Sequence, residues 1–431
     1  MLDIKFIREN AQKVKKAAKD KNREIDIDKL LKLDEERRKL ISEIEKKRAT
    51  RNVLGRGTGK IATLDFQPVI VTQDKEHREH GRKLKEEIKQ LEKKLSEVEK
   101  EYSVLLFQVP NVPDPSVPVG KDASKNDPKF KWGEPPKFDF TPLDHIELAK
   151  RLDLVDFERG TKVGGFRSYF LKNEAALLEM AVLTYTFKKL VGKGYIPLIA
   201  PSLVKEFTLF GNGQFPWGRE EVYHLEKDDM YLAGTAEVPV TAYFANEMLT
   251  EKDLPKKFVA FSPCFRREAG SYGKDTKGLY RLHQFNKIEQ VIINKADYEG
   301  SLALHEELLK NSEEVLQDLK LPYRVMLMCT GDMGEPQVKK YDVETWMPSR
   351  GAYGETMSNS FMGDFQTRRL NIRYRDSKGV VQFTHSLNNT AVASPRILIA
   401  ILENYQQKDG SVVVPEMLRE FVGKETITSA K

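Results

Sequence analysis

The chain has 431 residues and a formal net charge of +6, and 40% of its residues are hydrophobic and 32% charged. This composition is typical of a folded globular protein and excludes a disordered or fibrous chain. No apolar run approaches the roughly 18–20 residues that a transmembrane helix needs, and the N-terminus lacks the hydrophobic stretch of a signal peptide, so we expect a cytoplasmic protein with no membrane partner.

The excess positive charge lies at the N-terminus. Residues 1–107 carry 28 Lys and Arg against 21 Asp and Glu, whereas the rest of the chain is close to neutral. Such an excess suits a polyanionic partner, although lysine-rich helix faces also occur for solubility alone. The charge therefore leaves nucleic acid binding as one of two interpretations.

A long helical hairpin is predicted in the same region. Apolar residues recur at alternating spacings of four and three over three heptads, which indicates a coiled-coil seam through Leu84, Ile88, Leu91, Leu95, Val98, Tyr102 and Leu105. A looser pattern from Leu30 to about Val53 supplies an antiparallel partner. Glycines and Pro68 interrupt the helical pattern between the two, so we predict the tip of the hairpin at about residues 54–73.

A proline-rich polar segment follows the hairpin and has no helical or strand periodicity, as is typical of an interdomain connection. We therefore predict an N-terminal arm domain over residues 1–107, a linker over residues 108–127 and a larger domain over residues 128–431. In the larger domain, β-rich runs such as KFVAFSPCF and EQVIINK are mixed with helical patterns without regular alternation. This pattern predicts an α+β fold around a largely antiparallel sheet.

The two cysteines, Cys264 and Cys329, are too few for a disulfide framework and lack the paired spacing of a zinc site. We interpret both as buried thiols and expect no zinc.

The segment that begins at Phe265 brings charged and aromatic side chains to one sheet surface. Arg266 and Glu268 share a strand face at positions i and i+2, and Phe285 and Glu289 return on a second strand. Arginine can bind phosphate or carboxylate, phenylalanine can stack on a base, and a buried glutamate can hold an ammonium or a hydroxyl group. The pattern favours a nucleotide site, with an ordinary hairpin carrying surface ion pairs as the alternative.

The string FRREAGSYGKDTKGLYRLHQFNKIE resembles motif 2 of the class II aminoacyl-tRNA synthetases, in the form found in the seryl-tRNA synthetases. GNGQFP at residues 211–216 and the triplet Thr235-Ala236-Glu237 resemble the serine-binding region of that family. GYIPLIAPSLV, with Pro201, resembles motif 1, and LNNTAVASPRILIAILENYQ resembles motif 3. The resemblance extends from end to end, because the family also carries a two-helix N-terminal arm.

The resemblance implies a ligase that uses ATP and Mg²⁺ to activate L-serine as seryl-adenylate and then transfers serine to the 3′ end of tRNA(Ser), with tRNA(Sec) as a further substrate left open. It also implies a class II catalytic domain, a homodimer formed through motif 1, and tRNA binding by the coiled-coil arm.

The resemblance further implies roles for individual residues. The catalytic residues are Arg266, Glu268 and Arg396. ATP contacts are implied for Arg266, Arg267, Glu268, Phe285, Glu355, Thr356, Met357, Ser358 and Arg396, and Glu355 and Ser358 would also hold Mg²⁺. Serine contacts are implied for Thr235, Ala236, Glu237, Arg266, Glu289, Asn388 and Thr390. In detail, Arg266 would hold the α-phosphate and the serine carboxylate, Arg396 would reach the γ-phosphate, and Phe285 would stack on adenine beside Glu268.

The sequence departs from the family pattern at several positions. Asn389 and Thr390 stand where motif 3 usually has Gly and Ser, Pro395 replaces the usual glycine before Arg396, and Asn359 stands at a position where cysteine is common. Threonine retains a hydroxyl group and proline is tolerated in a first helical turn, so we retain the site, with Thr390 as its weakest match.

Two other kinds of protein share parts of this pattern. A relative that activates an amino acid for a carrier protein would lack the arm, and a coiled-coil adaptor built on an inactive synthetase core would lose the phosphate arginines or the acid of the triplet. The chain has the arm pattern and retains Arg266, Arg396, Glu237 and Glu289, which favours the synthetase.

Overall fold

The computed structural model describes residues 1–57, 71–270, 275 and 277–429, with the backbone alone for residues 53–57 and 71–78. The chain folds into two compact units. The arm unit comprises residues 3–15 and 24–109, and the core unit comprises residues 1–2, 16–23 and 110 onward.

The N-terminal region is helical. Its helices are α1 (Ile4–Glu9), α2 (Ala11–Asp20), α3 (Ile27–Gly57) and α4 (Val71–Gln108). Helices α3 and α4 pair along their length, and ion pairs join them at Arg37–Glu99 (3.0 Å) and Arg48–Glu92 (2.7 Å). Because one partner number rises as the other falls, the pairing is antiparallel, which confirms the predicted coiled-coil hairpin.

The seam of the hairpin is close to the predicted one. The residues buried along α4 are Leu84, Ile88, Val98, Tyr102 and Leu106. The last of these replaces the predicted Leu105, which is only half-buried. The seam therefore drifts by one residue at the base of the hairpin, as expected when a straight helix of 3.6 residues per turn carries a heptad pattern.

The predicted tip is too long at both ends. Helix α3 continues to Gly57 and α4 already begins at Val71, so residues 54–57 and 71–73 are helical. An isolated glycine costs a helix only about 1 kcal/mol, which a helix already formed can tolerate. The rest of the predicted tip lies outside the described residues.

An eight-stranded sheet forms the centre of the core unit, with strand order β1-β11-β12-β13-β16-β10-β9-β4. All neighbouring strands are antiparallel except β4 and β9, which are parallel. The strands of this sheet are β1 (Asp127–Trp132), β4 (Ile196–Ile199), β9 (Lys256–Phe265), β10 (Gln284–Asn294), β11 (Tyr323–Leu327), β12 (Lys339–Met347), β13 (Ala352–Gly363) and β16 (His385–Ala393).

In the described part of the core unit, short strands form four further small sheets. They are β2 (Val155–Asp156), β3 (Phe170–Leu171), β5 (Leu203–Val204), β6 (Tyr223–Leu225), β7 (Met230–Leu232), β8 (Met248–Thr250), β14 (Arg373–Arg375), β15 (Val381–Phe383), β17 (Val412–Val413) and β18 (Thr426–Ile427).

Helices flank the large sheet. They are α5 (His145–Arg151), α6 (Phe157–Gly164), α7 (Asn173–Gly192), α8 (Glu206–Asn212), α9 (Glu237–Thr241), α10 (Tyr298–Asp318), α11 (Phe365–Leu370), α12 (Ser394–Asn404) and α13 (Arg419–Val422). The main apolar core joins α7, α10 and α12 to the strands. The predicted α+β fold around a largely antiparallel sheet is confirmed.

The segment after α4 packs against the core unit from Pro110 onward. The Asn111 side-chain amide donates to the carbonyl oxygens of Pro336 (3.0 Å) and Met362 (2.8 Å).

None of the helices in the described part of the chain combines the length and the hydrophobicity that a membrane-spanning segment needs.

Candidate active site

A cavity of about 270 Å³ lies at the centre of the large sheet, lined by β10, β13, β16, the start of α12 and the segment before β10. The side chains of Gln290 and Asn389 point to α10, where Asn389 accepts a hydrogen bond from Ser312. Their neighbours Glu289 and Thr390 therefore point to the opposite face, because side chains alternate along a strand. The cavity is on that face.

Arg266, Glu268 and Phe285 line the cavity together. Arg266 directly follows β9, and its guanidinium carbon lies 5.2 Å from the centre of the Phe285 ring. Glu268 has the left-handed φ of 55°, and its carboxylate accepts a hydrogen bond of 2.6 Å from Arg281. The end of β9 and the start of β10 thus present a cation, an acid and an aromatic face to one space. The prediction that Arg266 and Glu268 share a strand face is wrong, because β9 ends at Phe265 and Glu268 reaches the cavity from a loop.

Arg396 lines the cavity from the first turn of α12. Its guanidinium donates to the backbone oxygen of Glu355 (2.8 Å), to the carboxylate of Glu355 (3.1 Å) and to the backbone oxygen of Tyr280 (3.2 Å). Burial acts to raise the pKa of Glu355, but the positive charges of Arg396 and Lys340 outweigh it and hold that pKa below its usual value. Glu355 therefore offers the cavity an ionised carboxylate.

The Arg396 guanidinium is also held by an aromatic ring. Tyr280 has the guanidinium carbons of Arg396 and Arg350 at 4.5 and 4.4 Å from its ring centre. The ring and the hydrogen bonds to Glu355 fix the orientation of Arg396 from several directions. A pre-oriented arginine of this kind suits binding of an anion such as phosphate.

A buried polar cluster continues from the cavity through Lys287. The Lys287 ammonium lies 2.6 Å from the Thr235 hydroxyl, 2.6 Å from the Glu289 carboxylate and 3.4 Å from the Thr390 hydroxyl. Thr390 also donates to Glu289 at 3.2 Å. A β-bulge at Ile288 and Glu289 sets Glu289 opposite Thr390 in the register of β10 and β16.

Glu237, at the start of α9, belongs to the same region. Its carboxylate accepts a hydrogen bond of 2.7 Å from the Gln366 amide. Burial of the carboxyl group and the negative charge of Glu289 raise the pKa of Glu237 to about 7, against the opposing effects of Gln366 and Lys287. Glu237 and Glu289 thus give the region two carboxyl groups for the single ammonium of Lys287, which suits a small ligand that brings a second cation.

Two family models match the chain. The model described as the seryl-tRNA synthetase N-terminal domain matches residues 1–113, and the model of the tRNA synthetase class II core domain (G, H, P, S and T) matches residues 221–405. The serine–tRNA ligase of Deinococcus radiodurans is 47% identical over 98% of this chain and 98% of its own length. The chain belongs to the seryl-tRNA synthetase family.

Solved structures of the seryl-tRNA synthetase family have the same fold. The enzyme of Pyrococcus horikoshii, crystallised with ATP, matches with a TM-score of 0.90 and 38% identity over the full length of both chains. The cytoplasmic enzyme of Naegleria fowleri, in complex with AMP, matches with a TM-score of 0.87 and 32% identity over 100% of this chain and 99% of its own. The N-terminal family model matches the arm. The alternative, a relative that activates an amino acid for a carrier protein and lacks the arm, is therefore not supported.

Nine of the residues that the family resemblance implies line the cavity together. They are Arg266, Glu268, Phe285, Glu355, Thr356, Met357, Ser358, Thr390 and Arg396. Thr235 and Glu289 reach the same region through Lys287, as described above.

Of the remaining implied residues, Arg267, Ala236 and Asn388 belong neither to the cavity lining nor to the cluster around Lys287. Arg267 points elsewhere, with its guanidinium 3.7 Å from the Glu220 carboxylate. Ala236 is fully buried before α9, and the side-chain nitrogen of buried Asn388 has no hydrogen-bond partner among the described residues.

Several lining residues were missed by sequence reasoning. Lys287 could have been found, because it lies on the same strand face as Phe285 and Glu289. Lys340 and Gln337 enter from a separate part of the sheet and no motif marks them.

Buried Lys21 holds the segment around Gln337 in place. Its ammonium donates to the Gln337 backbone oxygen (2.6 Å), and burial lowers the pKa of Lys21 to about 7.

The segment between the two motif 2 strands is anchored at both described ends. The Glu221 carboxylate accepts from the backbone N–H groups of Ala269 (3.1 Å) and Gly270 (2.9 Å). At the other end, His145 Nε2 accepts from the Leu279 N–H (3.1 Å), while His145 Nδ1 lies 3.1 Å from the Glu403 carboxylate. These contacts fix Tyr280 and hence its stacking with Arg396.

The departures from the family pattern are accommodated without loss of the site. Asn389 and Asn359 are paired in register on β16 and β13, and both face α10 rather than the cavity. Asn389 accepts from Ser312 of α10 and from Gln290 of β10, and Asn359 donates to the His305 backbone oxygen of α10. Pro395 lies at the first or second position of α12, where no helical hydrogen bond needs its missing N–H.

Proposed function

We propose that the chain activates L-serine with ATP in this cavity and transfers the serine to tRNA(Ser). The observation that carries the proposal is the convergence of Arg266, Phe285, Glu355 and Arg396 on one cavity, in a chain of the seryl-tRNA synthetase family. Related enzymes crystallised with ATP and with AMP support a nucleotide in the corresponding fold.

In the first step a serine carboxylate oxygen attacks the α-phosphorus of ATP, a new P–O bond forms, and the bond to pyrophosphate breaks. The protein forms no covalent bond, so it contributes by positioning and by charge neutralisation. Arg266 binds the α-phosphate and the serine carboxylate, Arg396 binds the γ-phosphate, and Phe285 stacks on adenine beside Glu268. In the second step a ribose hydroxyl at the 3′ end of tRNA attacks the serine acyl carbon, and AMP leaves.

Serine is bound at the Lys287 end of the cavity. Thr235 and Glu237 receive its ammonium group, and Glu289 and Thr390 receive its hydroxyl group. Such a pocket rejects alanine because its buried polar groups would then lack a partner, whereas threonine must be excluded by size.

Mg²⁺ would be held by Glu355 and Ser358. Both line the cavity, and the ionised carboxylate and hydroxyl oxygens are hard donors of the kind that Mg²⁺ prefers beside phosphates. When bound, the ion would neutralise charge on the phosphate oxygens.

The arm supplies the tRNA-binding half of the function. The arm domain, residues 1–107, holds the whole positive excess of the chain, and polyphosphate backbones bind such surfaces. We also propose a cytoplasmic location for the protein, because tRNA is charged there.

A homodimer formed through motif 1 completes the proposal. Strand β4 is an edge of the large sheet, and its Ile199 is 83% exposed. Met180 on α7 and Leu203 on β5 are also exposed, and large exposed apolar patches typically mark interfaces. Light scattering should give the mass of a dimer, and a monomer at every concentration would exclude this interface.

The activation step is tested by isotope exchange between ATP and pyrophosphate in the absence of tRNA. The purified protein with Mg²⁺ should exchange only when serine is present, and Arg266→Ala should lose about 100-fold or more of the rate, as expected when a preorganised charge contact is removed. Absence of serine-dependent exchange would overturn the proposal, and an unchanged rate in Arg266→Ala would overturn the role of Arg266.

A further inference from the structure

Lys287 lies at the point where the predicted serine contacts meet. Its side chain is 5% exposed, and its ammonium contacts Thr235, Glu289 and Thr390. It also lines the cavity, so a ligand in the cavity can reach it. An ion pair needed only for stability would not have to face this space.

The charges of the region balance when serine is added. Arg266 and Glu237 can match the carboxylate and the ammonium of the amino acid, one charge each. Glu289 would remain as an unmatched buried carboxylate, which is strongly unfavourable in a site of low polarity. The Lys287 ammonium, 2.6 Å away, supplies the opposite charge.

The hydrogen-bonding capacity points to the serine hydroxyl. That hydroxyl can donate one hydrogen bond and accept two, and Glu289 as a carboxylate can only accept. An ammonium has three donors, and those of Lys287 are directed to the Thr235 hydroxyl, the Glu289 carboxylate and, at the longer distance of 3.4 Å, the Thr390 hydroxyl. The 3.4 Å contact to Thr390 is the longest of the three. A hydrogen bond from Lys287 to the oxygen of a bound hydroxyl group can therefore replace it at the lowest cost in free energy.

We propose that Lys287 is a specificity-determining residue, which donates a hydrogen bond to the side-chain oxygen of bound serine while it neutralises Glu289. This assignment rests on the proposed function and places a charged donor beside the Glu289 carboxylate, which can only accept hydrogen bonds. Serine is then recognised through both its O–H and its oxygen, and alanine leaves a buried ammonium and a buried carboxylate without their ligand partner.

The test is pyrophosphate exchange with serine and with alanine, each at varied concentration. Lys287→Met should raise the KM for serine by about 10- to 150-fold, the range expected for a hydrogen bond to a charged group. The KM for ATP should change less than about twofold, and the preference for serine over alanine should fall by a factor similar to that for the serine KM.

Lys257→Met is the matched control. Lys257 is also a strand lysine, and its ammonium pairs with the Glu307 carboxylate at 2.7 Å, but it does not line the cavity. This variant should keep the preference for serine over alanine. Lys287→Arg, which retains the charge and donors, should recover part of the preference that Lys287→Met loses.

Lys287→Met leaves the buried Glu289 carboxylate unpaired and so could prevent folding. In that case the double variant Lys287→Met/Glu289→Gln is used for the test, because it also removes the charge of Glu289. It should also show the reduced preference for serine. The inference is overturned if a folded variant without Lys287 keeps the wild-type serine KM and preference, or if the KM values for serine and ATP rise together. Absence of serine-dependent exchange in the wild-type protein would instead overturn the proposed function, and this inference with it.

Discussion

Glu237 shows how a single side chain can be tuned for a zwitterionic ligand. Burial and the charge of Glu289 raise its pKa to about 7, so this carboxyl group takes up a proton more readily than an exposed glutamate. A serine ammonium next to the carboxylate favours the ionised form. Serine binding and proton release are therefore linked at this residue.

Serine affinity should fall as the pH falls below about 7. Below its pKa, Glu237 must lose a proton before it can pair with the ammonium, which costs up to about tenfold in affinity per pH unit. Calorimetric titration with serine should show weaker binding at pH 6 than at pH 8, and proton release in buffers of different ionisation enthalpy. Glu237→Gln should bind weakly at both values. Equal wild-type affinity at pH 6 and pH 8 would contradict the assignment.

The residue scale also shows what the sequence could predict about the site. Arg266, Glu268 and Phe285 meet at the cavity as predicted. The predicted reason, a shared strand face, is wrong for Glu268, because β9 ends at Phe265 and Glu268 has a left-handed φ of 55°. Lys340 could not be predicted, because its place in the cavity depends on the pairing of β12 with β13, which no local pattern encodes.

At the scale of elements, the motif 2 strands depend on anchors that are distant in sequence. His145 opens α5 and accepts the Leu279 N–H, while its other ring nitrogen lies beside the Glu403 carboxylate of α12. Gly278, with φ of 74°, is required there, since an added Cβ would lie 2.2 Å from His145 Nε2. The position of Tyr280, and so of Arg396, depends on this contact.

His145→Phe should weaken ATP binding. It leaves the Leu279 N–H without its acceptor, at a cost of about 1–3 kcal/mol, and loosens the segment that carries Tyr280. In pyrophosphate exchange the KM for ATP should rise about tenfold, with a smaller effect on the KM for serine. His145→Gln, whose amide oxygen can take the place of Nε2, should recover much of the loss. An unchanged KM for ATP in His145→Phe would show that the anchor has no role in the site.

Local sequence patterns predicted the two arm helices and the clearest strands, but not all of their ends. The runs KFVAFSPCF and EQVIINK lie in β9 and β10, and EQVIINK marks only the second half of β10. The extent of α3 was underestimated, because Gly55 breaks a helix only where no partner helix stabilises it. Packing between α3 and α4 depends on residues about 60 positions apart, as in Arg37 and Glu99, and propensity does not include that contribution.

At the scale of the whole molecule, the chemistry and most of the positive excess belong to different units. The cavity residues lie in the core unit, whereas the hairpin of α3 and α4 lies in the arm unit. This division predicts that activation of serine and charging of tRNA can be separated by a change in the arm alone.

A shortened hairpin should activate serine but not charge tRNA(Ser). Replacing residues 45–88 with a short glycine-rich turn retains the ion pairs Arg37–Glu99 and Lys94–Glu36 at the base of the hairpin. Pyrophosphate exchange should stay within about twofold of the wild-type rate, while aminoacylation of tRNA(Ser) should fall at least 100-fold, because phosphate contacts supply much of the affinity for nucleic acids. Normal charging by this variant would assign tRNA binding to another part of the chain.

The most direct test of the proposed function is a crystal structure of the chain with a non-hydrolysable analogue of seryl-adenylate. The proposal predicts the adenine ring stacked on Phe285, the phosphate mimic within hydrogen-bond distance of Arg266, and the serine side chain among Glu289, Thr390 and Lys287. An analogue bound outside this cavity, or bound with its serine end away from Lys287 and Glu289, would contradict it.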